Sequence, residues 1–90
     1  MENFTKNSLI NYRETIDRLD KILIFALAER FKNTNKIGLL KAKKNLPSYD
    51  EVREKTQMSK FRKLAIENDI DPKLVARLFG LIISEVKKNH

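Results

Sequence analysis

Two cations interrupt an apolar stripe. Arg30 falls on the seam formed by Leu9, Tyr12, Ile16, Leu19, Leu23, Ala26, Ile37 and Leu40, and Lys41 lies beside it, in the angular sector of Ile16 and Leu23. A cation removed from water is costly unless an anion meets it. The pattern predicts an anion-binding cavity inside a helical protein. The two residues stand three helical turns apart, ~16.5 Å along the axis. Their long side chains can lean together around a small dianion the size of a substituted six-membered ring. The competing reading lets both heads run out to solvent at the edge of the seam.

Farther along, Asp50, Glu54, Phe61 and Ala65 share one helical face, flanked by Arg53 and Gln57. Acidic groups in a first helical turn complement the dipole. That accounts for Asp50 alone, but less well for Glu54 on the face of Phe61. Arg13 lies at the margin of the first seam, where local context pairs it with Asp17 at i,i+4.

Several chemistries are missing. The only histidine is His90, the last residue, and there is no cysteine. No HExxH, GxGxxG or Walker motif occurs. The carboxylates are interleaved with lysine and arginine, so neither a metal nor another cofactor is expected. A reaction on this chain has to work by orientation, and by positive charge placed where negative charge develops.

The elements that must hold these groups are helical throughout. The near-heptad stripe predicts a first helix over about 8–44, with Asn33-Thr34-Asn35 as a weak spot and Pro47 beyond its end. Ser48 and Glu51 have capping-box spacing, predicting a second helix over about 49–68. Asp71-Pro72 pairs an N-cap with a proline at the first helical position, predicting a third over about 72–88, with Leu74, Val75, Leu78, Phe79, Ile82 and Val86 on one face. The fold class is all-α, one long helix and two short ones, in a single domain over 1–90. A first helix of ~54 Å outruns a compact globule ~30 Å across. It bends back or buries its seam on another chain, and an intertwined homodimer is the favoured arrangement.

The chain of 90 residues carries net charge +7, from 19 basic and 12 acidic side chains. Much of the excess is dispersed, or sits in Lys41-Lys43-Lys44 and Lys87-Lys88, where solvated helix ends carry it. A small anionic ligand explains internal cations better than nucleic acid does, because duplex phosphates are met on a surface. No apolar run approaches the ~20 residues of a membrane span. The polar start MENFTKNSLINYRE lacks the core of a signal peptide, so the expected address is the cytoplasm.

Taken together, the residues resemble the all-helical, type II class of chorismate mutase. The first matching block is Arg13-Glu-Thr-Ile-Asp-Arg-Leu-Asp20 with Leu27-Ala-Glu-Arg30; the second is Gly38-x-x-Lys41 with Pro47-x-x-Asp50-x-x-Arg53-Glu54. The third is Asp71-Pro72 with Arg77-Leu-Phe-x-x-Ile82-Ile83. The resemblance implies an intertwined three-helix homodimer that converts chorismate to prephenate by a Claisen rearrangement, with no covalent intermediate. It implies that Arg30 and the partner chain's Arg13 bind the two substrate carboxylates, and that Lys41 donates to the ether oxygen. Glu54, helped by Asp50 and Arg53, is expected to hold the ring hydroxyl and the reactive chair. Helix three departs from the pattern. The family's serine near Val86 and glutamine near His90 are replaced; valine cannot donate, and His90 donates only with a proton on the facing nitrogen. The expectation is weak activity, or activity that rises as His90 protonates.

Two rivals remain. An isochorismate pyruvate-lyase, or another chorismate-type isomerase, shares the scaffold and cations, but the lyase's relatives tend to lose the acidic group around the ring hydroxyl, whereas Glu54, Arg53 and Asp50 are all kept here. A non-catalytic basic helical module predicts Arg30 and Lys41 exposed, and binding with steep salt dependence.

Overall fold

The computed structural model describes residues 2–47 and 50–88, with side chains from residue 5 onward. It contains α1 (Glu2–Lys43), α2 (Glu51–Glu67) and α3 (Pro72–Lys88), and no strand among the described residues. The fold is all-α, one long helix and two short. The chain divides into two compact units, Met1–Thr34 and Asn35–His90.

Helix α1 begins at Glu2, not near Ser8. Residues 2–7 hold no proline or glycine, and Glu2 suits the positive end of the dipole. The helix also runs unbroken through Asn33-Thr34-Asn35. Asn33 Nδ2 donates to the Glu29 carbonyl at 2.8 Å, and Thr34 Oγ1 to the Phe31 carbonyl at 3.0 Å. These side chains bond back to their own helix and leave its ladder intact.

In the first unit, every described side chain from Thr5 to Glu29 except Ser8 is exposed. The exposed set includes the seam itself: Tyr12 is 71% accessible and Leu23 64%.

The second unit is built on helix ends. After α1, the Leu46 amide donates to the Lys41 carbonyl at 2.8 Å and the Asn45 amide to the Ala42 carbonyl at 3.2 Å. Asn45 sits at φ 55°. This is a Schellman closure around a left-handed residue, reached two residues before Pro47. Helix α2 ends the same way: Asp69 has φ 57°, and the Ile70 amide reaches the Ala65 carbonyl at 2.9 Å. Asparagine and aspartate tolerate this conformation better than other non-glycine residues.

The starts are capped. Asp50 Oδ1 accepts from the Arg53 amide at 3.0 Å, so α2 begins at Glu51 with Asp50 as its N-cap. The expected cap, Ser48, lies outside the described residues. Asp71 Oδ1 accepts from the Lys73 amide at 2.9 Å and starts α3 at Pro72, as the Asp-Pro signal predicts. Asp71→Ala should lower stability by about 1 kcal/mol, read as a shift in the urea midpoint at unchanged slope.

Helices α2 and α3 form an antiparallel hairpin. Phe61 stacks on Phe79 with ring centroids 3.8 Å apart and planes at 17°. Toward the start of α2, Glu54 meets Lys87 near the end of α3. Ala65, at 3% accessibility, is the one buried residue among those described. On α3 the half-buried face is Val75, Ala76, Phe79, Ile82, Ile83 and Val86. Leu74 and Leu78, expected on that face, are exposed. The packed face is rotated towards Ala76 and Ile83, where smaller and β-branched side chains let the helices close.

Candidate active site

On α2 the inward face reads Glu54, Gln57, Met58, Phe61 and Ala65, all half-buried or buried. Glu54, Phe61 and Ala65 share the expected face, but Asp50, expected there too, is exposed at the N-cap, and Arg53 at the flank is exposed as well. Polar groups fill its first half, and the stacked phenyl rings close the second.

Glu54 carries the polar half. Its Oε1 lies 3.2 Å and its Oε2 3.3 Å from Lys87 Nζ. Its side chain is 27% accessible, against 52% for that of Lys87. Two other ion pairs, Lys32–Glu29 and Lys55–Glu51, join neighbours on one helix and are more exposed. Pairs of that kind contribute ~0–1 kcal/mol. Lys87–Glu54 instead ties the first turn of α2 to the last turn of α3.

Sequence reasoning placed Lys87 among solvated charges at a helix end and missed this contact. A signal was available. Two helices of 17 residues joined by a short Schellman turn must run antiparallel. The fourth residue of α2 then falls beside the end of α3.

Arg53 is held on its own helix. With the Gln57 amide oxygen turned to the guanidinium, it accepts from Nη1 and Nη2, both at 3.1 Å. Arg53 and Gln57 thus form one polar pair, and Glu54 a separate one with Lys87. Asp50 spends Oδ1 on the Arg53 amide. Its position organises the helix start that carries Arg53 and Glu54. An open groove runs along α2 past Glu54, lined by Glu51, Lys55, Met58, Ser59 and Arg62.

Lys41 stands in the last turn of α1 and is half-buried. Its own carbonyl is the Schellman acceptor for Leu46, which fixes the backbone beneath the side chain. A cation here also faces the negative end of the helix dipole. Val86 is half-buried on α3, adjacent to Lys87, and has no polar atom to offer. His90 lies outside the described residues.

The first unit holds Arg13 and Arg30. Arg13 is exposed, and it makes no ion pair with Asp17 among the described residues. Arg30 is half-buried, and its Nη1 is fully buried with no hydrogen-bond partner among the described residues. An unsatisfied buried donor costs about 1–3 kcal/mol, more when charged. Such groups are rare in folded proteins. A planar guanidinium matches a carboxylate edge to edge, so an anionic ligand is the natural acceptor. Arg30 is half-buried, where a basic binding module predicts it exposed.

No group of three or more acidic or histidine side chains among the described residues is arranged to hold a metal ion. No helix among them is long and apolar enough to cross a membrane.

The chain is similar to known proteins over most of its length. Residues 12–90 match the family described as chorismate mutase type II. A bifunctional chorismate mutase/prephenate dehydratase of Buchnera aphidicola subsp. Schizaphis graminum is 37% identical over 81 residues, 90% of this chain and 21% of the relative. The bifunctional chorismate mutase/prephenate dehydratase of Escherichia coli (strain K12) is 32% identical over 81 residues, again 90% of this chain and 21% of the relative. A chorismate mutase of Methanocaldococcus jannaschii is 28% identical over 79 residues, 88% of this chain and 80% of the relative. The chain therefore spans about a fifth of the length of the bifunctional relatives and most of the archaeal one. With a match running from Tyr12 to the last residue, through every cation and carboxylate singled out above except those before it, the chain belongs to the chorismate mutase type II family.

Proposed function

We propose that this chain rearranges chorismate to prephenate, working as an intertwined homodimer in the cytoplasm without metal or other cofactor. The observation that carries the reading is the buried, unpartnered guanidinium nitrogen of Arg30 in a chain of this family. The reaction moves six electrons around a chair. The ether C–O bond breaks, a C–C bond forms, and no proton is transferred. Charge separates as the C–O bond lengthens, so catalysis requires a held conformation and a cation at the ether oxygen.

Arg30, together with Arg13 of the partner subunit, binds the two substrate carboxylates. The Lys41 ammonium donates to the ether oxygen as negative charge builds. The Glu54 carboxylate accepts from the ring hydroxyl and holds the chair, with Asp50 and Arg53 organising the helix start around it. Dimerisation is supported by exposure. Unit one keeps its apolar seam open, and unit two buries a single alanine among the described residues. Neither amounts to a core for a chain of this size. The open groove at Glu54 also needs a further wall before water is excluded from it.

Two measurements test the reading. Chorismate and isochorismate are incubated with the protein, and products are identified by chromatography and mass. Prephenate from chorismate is expected; pyruvate with salicylate from isochorismate alone would assign the lyase reaction instead. Light scattering at micromolar concentration should give twice the chain mass of 10.6 kDa. A monomeric mass, or salt-sensitive binding of nucleic acid with no turnover, sinks the proposal.

A further inference from the structure

We propose that Lys87 is a positioning residue for Glu54, a role that rests on the assignment of Glu54 to the substrate hydroxyl. Three observations carry it. The Lys87 ammonium reaches both carboxylate oxygens, at 3.2 and 3.3 Å, so it holds the carboxylate with both oxygens turned towards α3. The contact is tertiary, between residues 33 positions apart. And Val86, the half-buried neighbour of the exposed Lys87 on α3, has no polar side-chain atom. Lys87 gives the last turn of α3 a polar function at the Glu54 carboxylate that Val86 lacks.

The physical effect is on rotamers. A glutamate has three side-chain torsions, and ordering them is entropically costly. An ammonium anchored on the facing helix selects the orientation in advance. One oxygen lone pair of each carboxylate oxygen still points away from Lys87 and can accept from a hydroxyl. With Lys87 absent, Glu54 samples other rotamers, and substrate has to order it. The lysine acts on Glu54, and it is not assigned a contact with the reacting atoms.

The test is a double-mutant cycle on chorismate turnover with Lys87→Met, Glu54→Gln and the pair, plus Lys87→Arg. Lys87→Met should lower kcat/KM about fivefold, the scale of one partly exposed ion pair. Lys87→Arg should restore most of the loss, because it keeps a donor pair for the carboxylate. In the Glu54→Gln background, Lys87→Met should have no further effect, while all variants melt within a few degrees of wild type. If Lys87→Met costs the same with and without Glu54, the lysine does not act through the carboxylate and the proposal falls. It also falls if Lys87→Met is silent in an otherwise active enzyme. A wild-type chain that leaves chorismate unchanged overturns the reading of the site, and this role with it; an active wild type with an additive cycle overturns this role alone.

Discussion

Arg30→Met is expected to cut kcat/KM for chorismate by about 30-fold to several thousandfold while leaving the free protein at least as stable as wild type. The two halves of this result have one cause. In the ligand-free chain, Arg30 Nη1 is buried and lacks an acceptor among the described residues. A buried donor in that state costs about 1–3 kcal/mol. Methionine keeps an unbranched apolar stem, though a shorter one, and removes the orphaned donor. Melting should therefore hold or rise. Binding responds in the opposite sense. Truncating one member of a desolvated, hydrogen-bonded charge pair costs roughly 2–5 kcal/mol, or about 30-fold to several thousandfold in kcat/KM. Wild type should also gain thermal stability from added prephenate, and the variant should gain none. This gain of stability with loss of function marks a residue retained for its ligand. A variant that unfolds would show instead that Arg30 is structural, with a partner it meets in the assembled protein.

The sequence made this residue legible because burial and charge conflict in one dimension. A helical period alone places Arg30 among apolar positions. The same period placed Glu54 on the face of Phe61, and the stacked Phe61–Phe79 pair lies on that face. Helix ends were legible where a single side chain decides them, as at Asp71-Pro72. They were less legible where backbone conformation decides. Asn45 and Asp69 terminate helices by adopting positive φ, which no apolar pattern announces; Pro47 lies two residues beyond the stop that Asn45 makes. The start of α1 was missed by six residues because a helix of polar residues has no stripe to read. The rotation of α3 that exposes Leu74 and Leu78 comes from the packing of two surfaces, and a single-helix period carries no knowledge of its partner. Lys87 becomes legible only when both helices and the turn between them are read together. Its partner is set by the hairpin register, a property of two helices and a turn together.

Lys41→Met is expected to lower kcat by roughly 10²–10³-fold, the effect of deleting one preorganised oxyanion donor, with a small change in KM. The split follows from where charge appears. In ground-state chorismate the ether oxygen is a weak acceptor. It becomes a strong one only as the C–O bond lengthens, so a donor there binds the transition state better than the substrate. Removing it should lower kcat and kcat/KM together, whereas loss of a carboxylate-binding arginine also raises KM. The helix should survive. Lys41 contributes its carbonyl, not its side chain, to the Schellman closure with Leu46, and methionine is a good helix former. Loss of a cation at the C-terminal end of the dipole costs only about 0.3–1 kcal/mol. Lys41→Arg should recover part of the rate, since the charge returns but a planar fork replaces a compact point donor. A Lys41→Met enzyme within about threefold of wild-type kcat would move the developing negative charge to another donor. Lys41 would then be a binding cation, and the chemistry assigned to the last turn of α1 would have to be supplied from elsewhere in the assembled site.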